Sequence, residues 1–110
     1  MSHTGDADSF GFSLDNAEEL RRDHPDSFDI PSHRERTSLQ RGDLVKLVFR
    51  IVPTPTEGAG AERMWVIISE TDGDHYVGHL DNDPFRITTI QAGDPVTFGP
   101  EHVIAILGDE

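Results

Sequence analysis

Cysteine is absent from the 110 residues, which excludes disulfides, thiol nucleophiles and cysteine-based zinc sites. Lysine is nearly absent too: Lys46 is the only one among nine basic residues, which face 21 acidic ones. The resulting net charge of -12 repels phosphate backbones and anionic lipid surfaces, so neither nucleic acid nor a membrane is expected as a partner. No stretch approaches the roughly 20 consecutive apolar residues of a membrane-spanning helix. Met1 to Asp6 are polar and lack the basic and apolar regions of a signal peptide, so the expected location is cytoplasmic. Apolar residues are sparse, at 35%, which supports one small core and no second.

Acids, turn residues and short alternating runs are plentiful. The acid surplus has two readings: a solvated surface in a salt-rich cytoplasm, or a face built for a basic protein partner. Ten Gly and seven Pro make the chain loop-rich. Residues 1–12 have only Phe10 and Phe12 as apolar anchors, which predicts a flexible start. A helix is expected over about 14–24, capped by Ser13 or Asp15 and stopped by Pro25. Its stripe of Leu14, Ala17 and Leu20 is thin, so it must dock on something. Phe28 and Ile30 anchor an irregular link.

From Leu39 the pattern turns to period two. Val45, Leu47, Phe49 and Ile51 share one strand face, with Lys46, Val48 and Arg50 on the other. Asp72-Gly73 between two apolar runs signals a hairpin with a two-residue turn. In that register Ile68 faces Val77, Trp65 faces Leu80 and Arg63 faces Asn82. Trp65 and Ile67 line one face and Met64, Val66 and Ile68 the other, so burial on both sides is expected. The run Leu39 to Leu47 recurs as Ile90 to Phe98, with Gly42-Asp43 matched by Gly93-Asp94, and similar turn chemistry before two strands accounts for it. The expected fold is one mainly β (α+β) domain over 13–110. Its body is a small barrel-like antiparallel sheet of about five strands within about 39–107, with the N-terminal helix packed on it.

Chemistry is harder to place. His75 and His79 on one strand stand roughly 13 Å apart at about 3.3 Å per residue, too far to share an ion. The acidic turns Asp72–Asp74 and Asp81–Asp83 lack the ligand series of a calcium loop, so no metal or cofactor is expected. None of the seven Ser stands in Gly-x-Ser-x-Gly, although a triad assembled in space stays open. Residues 57–61 lack the ending of a phosphate-binding loop. One polar cluster remains as a candidate binding site. Arg63, Trp65, His79, Asp81, Asn82 and Asp83 gather at the hairpin base in the expected register, and Glu101 and His102 join from the C-terminal region. Such a set suits a small anion or a peptide, or equally a salt bridge and a capped turn.

Five blocks in order carry a family resemblance: Ile30–Ser32, Gly42–Phe49, Glu62–Val66, Tyr76–Pro84 and Gly93–Val103. Over about residues 14–107 they resemble the YegJ-like family of small bacterial domains. The resemblance implies one compact domain and brings no activity or catalytic residue with it. The expected function is a non-enzymatic cytoplasmic binding or protein-interaction module. Two alternatives stand beside it: an acidic immunity-type inhibitor of a basic toxin, and a small enzyme using Arg63, His79 and His102.

Overall fold

The computed structural model describes residues 11–107. Two matching turns set its frame. In each, a Gln N–H donates to the carboxylate of an Asp three residues on, Gln40 to Asp43 at 2.9 Å and Gln91 to Asp94 at 3.0 Å. Between them Gly42 and Gly93 take φ of 97° and 94°, a region that favours glycine. The Gly N–H then caps the sheet, Gly42 on the Ile68 carbonyl at 2.8 Å and Gly93 on that of Leu80 at 2.7 Å. Leu39 and Ile90 are buried beneath. The short repeat is therefore one turn device used twice, each time to launch a strand.

Six strands form: β1 (Phe12–Leu14), β2 (Leu44–Ile51), β3 (Ala61–Asp72), β4 (His75–Leu80), β5 (Pro95–Phe98) and β6 (Val103–Ile106). All pairings are antiparallel, in the order β1-β2-β3-β4-β5, with β6 also on β2. β2 is the spine. One edge pairs with β3, and the other is shared between β6 at Val45–Leu47 and β1 at Phe49–Ile51. A 3₁₀ turn, Pro100–His102, carries the chain from β5 at the far end of the sheet directly to β6. Three such residues span only about 6 Å, so the sheet must curl to bring its ends this close. The result is an antiparallel half-barrel with few helices.

Its concave face holds Val45, Leu47, Phe49, Val66, Ile68, Phe98 and Val103, all essentially without exposure. Gly78 is required where β4 crosses β3, because a Cβ there would lie 2.5 Å from the Ile67 carbonyl oxygen. A second, smaller cluster on the convex side packs Ala17, Leu20, Phe28 and Ile30 over Val48 and Ile104. Among the described residues no helix is long and apolar enough to cross a membrane.

Several expectations need correction. The helix expected over 14–24 is β1 followed by α1 (Ala17–Asp23), with Asn16 as its cap through a 3.0 Å bond from the Glu19 N–H. Phe12 and Leu14 alternate and pair with β2, and the Asp15 N–H bonds the Val48 carbonyl, so sheet pairing claims this stretch. The flexible start expected over 1–12 falls largely on residues 1–10, which lie outside the described residues. The link read as irregular contains α2 (His33–Thr37), closed by a capping box between Ser32 and Glu35.

At the hairpin the turn is Gly73–Asp74, with Asp72 already paired to His75. Glycine supplies the positive φ, 64°, at the first turn position, and a bulge at Ser69 then resets the register to Ile68↔Gly78 and Val66↔Leu80. Burial is one-sided. Met64, Val66 and Ile68 are buried, whereas Trp65 is half-buried and Ile67 is 38% exposed, since the helical layer covers Val48 and Ile104 instead.

Candidate functional site

The residues expected at the hairpin base separate into two groups. Trp65, Asp81 and Asn82 do meet: the Asn82 side chain accepts the Trp65 N–H, and the Trp65 carbonyl accepts that of Asp81 at 2.8 Å. This arrangement closes the end of β4 in the manner of a capped turn. Asp83 is exposed beside it, and His79 is exposed between Ile67 and Pro95. Arg63 projects from the convex face, its guanidinium 5.3 Å from the Phe28 ring centroid. Trp65 in turn lies under the Lys46 ammonium at 4.8 Å.

Glu101 and His102 are elsewhere. β5 runs antiparallel to β4, with Phe98 opposite Tyr76 and Pro95 opposite His79. The chain leaving β5 therefore emerges at the hairpin tip, not at its base. Six residues of strand, roughly 20 Å, separate the two ends of β4. The enzyme arrangement that needs Arg63, His79 and His102 together has no geometric basis.

Around Glu101 and His102 the structure instead opens a groove of about 850 Å³. Its walls come from α1 (Glu18), α2 (His33, Thr37), the hairpin tip (Asp74, His75) and the 3₁₀ turn, with Tyr76 and Phe98 as the aromatic part of the lining. The two rings stand 5.5 Å apart between centroids. Arg36 ties these walls together from behind. Only 5% exposed, it donates to Glu18 at 2.9 Å and to the carbonyls of Pro31 and Pro100 at 2.9 and 3.0 Å. Its own carbonyl accepts the Tyr76 hydroxyl at 2.7 Å. Burial pushes that phenol up from its ordinary value.

His102 is the most constrained titratable group of the groove. Its Nδ1 accepts the Gly99 N–H at 2.9 Å, which requires the neutral ring with the proton on Nε2. Nε2 faces the Glu101 carboxylate at 3.7 Å. Burial lowers its pKa and Glu101 opposes the change, with burial prevailing. His75 lies between Asp72 and Asp74, at 3.4 and 3.5 Å. The Thr37 hydroxyl donates to the His33 and Arg34 carbonyls and is not aimed at any histidine. Among the described residues no group of three or more His, Asp or Glu is placed to hold a metal ion.

The charged lining is therefore Glu18, Asp74 and Glu101, accompanied by three histidines, with no Lys or Arg. Sequence reasoning missed Glu18, His33 and the hairpin tip as parts of one site. The Ser32-x-x-Glu35 capping box was the available signal for α2, and with it for His33 and Thr37. Comparison with protein-family models, curated proteins and solved structures gives no match.

Proposed function

We propose that the chain is a non-enzymatic protein-interaction module whose acidic groove takes a basic segment of a partner protein. One observation carries this reading: a groove of about 850 Å³ in which Asp74 and Glu101 have only His75 and His102 as charged partners among the described residues, while Glu18 is already paired with Arg36 behind it. A Lys or Arg side chain entering the groove above the buried Tyr76 and Phe98 would pass the accessible edges of Thr37 and Pro100 with its stem and meet a carboxylate with its head. The net charge of -12 adds long-range attraction for such a partner. An immunity-type inhibitor of a basic toxin is one cytoplasmic protein of this description. The resemblance to the YegJ-like family, a proposal of its own, is compatible with a small interaction domain and adds no activity.

The test is calorimetric titration with a short Arg-rich peptide as probe. Binding should weaken as salt rises and should fall about tenfold or more in Asp74→Asn/Glu101→Gln, since two facing carboxylates are lost. Equal binding by the wild type and this double variant would refer the attraction to the acidic surface as a whole and overturn the groove reading.

A further inference from the structure

Phe85 is the most exposed large apolar side chain among the described residues, at 91%. It projects from the loop that follows β4, and that loop is firmly held. The Glu62 carboxylate accepts hydrogen bonds from three successive backbone N–H groups, those of Phe85, Arg86 and Ile87, at 2.8, 2.6 and 2.8 Å. The Arg86 guanidinium donates to the Glu57 carbonyl at 2.8 Å, which holds its charge toward the 53–60 loop. Ile87 and Ile90 are buried in the core on one side of Phe85, and Pro84 is half-buried on the other. The backbone is thus fixed before, at and after the one aromatic ring that it leaves in water. Asp81 and Asp83, both exposed, precede it on the same loop.

From this geometry we infer that Phe85 is a docking knob for a partner protein offering an apolar pocket rimmed by Lys or Arg. Aromatic side chains, Phe among them, are enriched at the water-excluded cores of interfaces and serve there as anchors. Because Glu62 already orders the loop, docking loses little backbone freedom, which favours a knob over a slack loop. Charge selects the partner class. Asp81 and Asp83, exposed on the same loop, and the net charge of -12 oppose nucleic acid, anionic lipid and a second copy of this chain. They attract a basic rim. The knob belongs to the Asn82 end of β4 and the groove to the hairpin tip, so this inference does not depend on what the groove binds.

Site-specific photocrosslinking of the full chain tests it, with Phe85→benzoylphenylalanine compared with the same group at the exposed Glu70 on β3. Illumination in the cells that make the protein should give a dominant adduct from position 85 only. The crosslinked peptide of the partner should flank its contact with Lys or Arg. With that partner purified, Phe85→Ala should weaken binding about thirtyfold and leave the melting temperature unchanged, as expected for an anchor that is exposed in the free protein. Glu70→Gln, on β3 away from this loop, should leave this affinity unaltered. The inference is overturned by no adduct, by equal adducts from position 70, or by an adduct to nucleic acid, to a second copy or to residues 1–10 of the same chain. Unchanged affinity in Phe85→Ala overturns it as well.

Discussion

Glu62 and His102 each hold backbone N–H groups with a titratable side chain, and each makes stability depend on pH in a window of its own. Burial pushes the Glu62 carboxyl up, but the N–H groups of Phe85, Arg86 and Ile87, with nearby Arg86, hold it below its ordinary value. A carboxyl depressed in the folded state stabilises fully above its unfolded value, near 4.5, and that contribution is lost as pH falls through the folded one. Glu62→Ala should destabilise by about 2 kcal/mol in urea unfolding, with the 81–90 loop exchanging its amides fastest. His102 works the same way at higher pH. Its lowered pKa means that the unfolded chain binds the proton first as pH falls below about 6.5, so stability declines from there toward the folded value. His102→Asn keeps an acceptor for Gly99 and removes the proton, so it should flatten unfolding free energy across that window. A slope identical to that of the wild type would show that His102 does not titrate with folding. Neither role was legible from residue type, because each depends on which backbone amide lies within reach.

For the elements, legibility followed the strength of local periodicity. β2 has four apolar residues in strict alternation, Val45 to Ile51, and appeared where period two placed it. β1 is only three residues, too short for a pattern, and neighbouring Leu14, Ala17 and Leu20 have helical spacing, so it was absorbed into the expected helix. The hairpin was correctly recognised yet shifted in register, because the turn falls at Gly73–Asp74, one residue later than expected, and the bulge at Ser69, which has no signature in residue type, takes back only half of that shift. Gly73→Val should still cost more than about 1 kcal/mol, because φ is 64° and β-branched residues are strained there. Open space around a Cβ at that position makes the cost purely one of backbone, so Gly73→Asn should be tolerated far better. Comparing the two variants by thermal unfolding checks this. α1, α2 and the 3₁₀ turn depend on Arg36 instead. Arg36→Met should destabilise by about 3 kcal/mol, leaving Glu18 and two carbonyls without their shared donor. Retained stability in that variant would mean that the helical layer is held by its apolar contacts alone.

Across the whole molecule, composition announced one small acidic domain and the alternating runs a β fold, but not where the charge would matter. The groove gathers side chains from α1, α2, the hairpin tip and the 3₁₀ turn, up to 84 residues apart between Glu18 and His102. Only the curl of the sheet, which returns β5 to β6, makes them neighbours. Trp65, Asp81 and Asn82 were placed together correctly because they flank one hairpin, the range over which local register can be reasoned. The central claim is that a basic segment binds in this groove and not diffusely over the acidic surface. The described histidines supply the probe, because His33, His75 and His102 line the groove while His24 and His79 do not. A nuclear magnetic resonance titration with the Arg-rich peptide should move the ring signals of His33, His75 and His102 together and leave those of His24 and His79 in place. Comparable shifts at all five rings, or at none, would contradict the account.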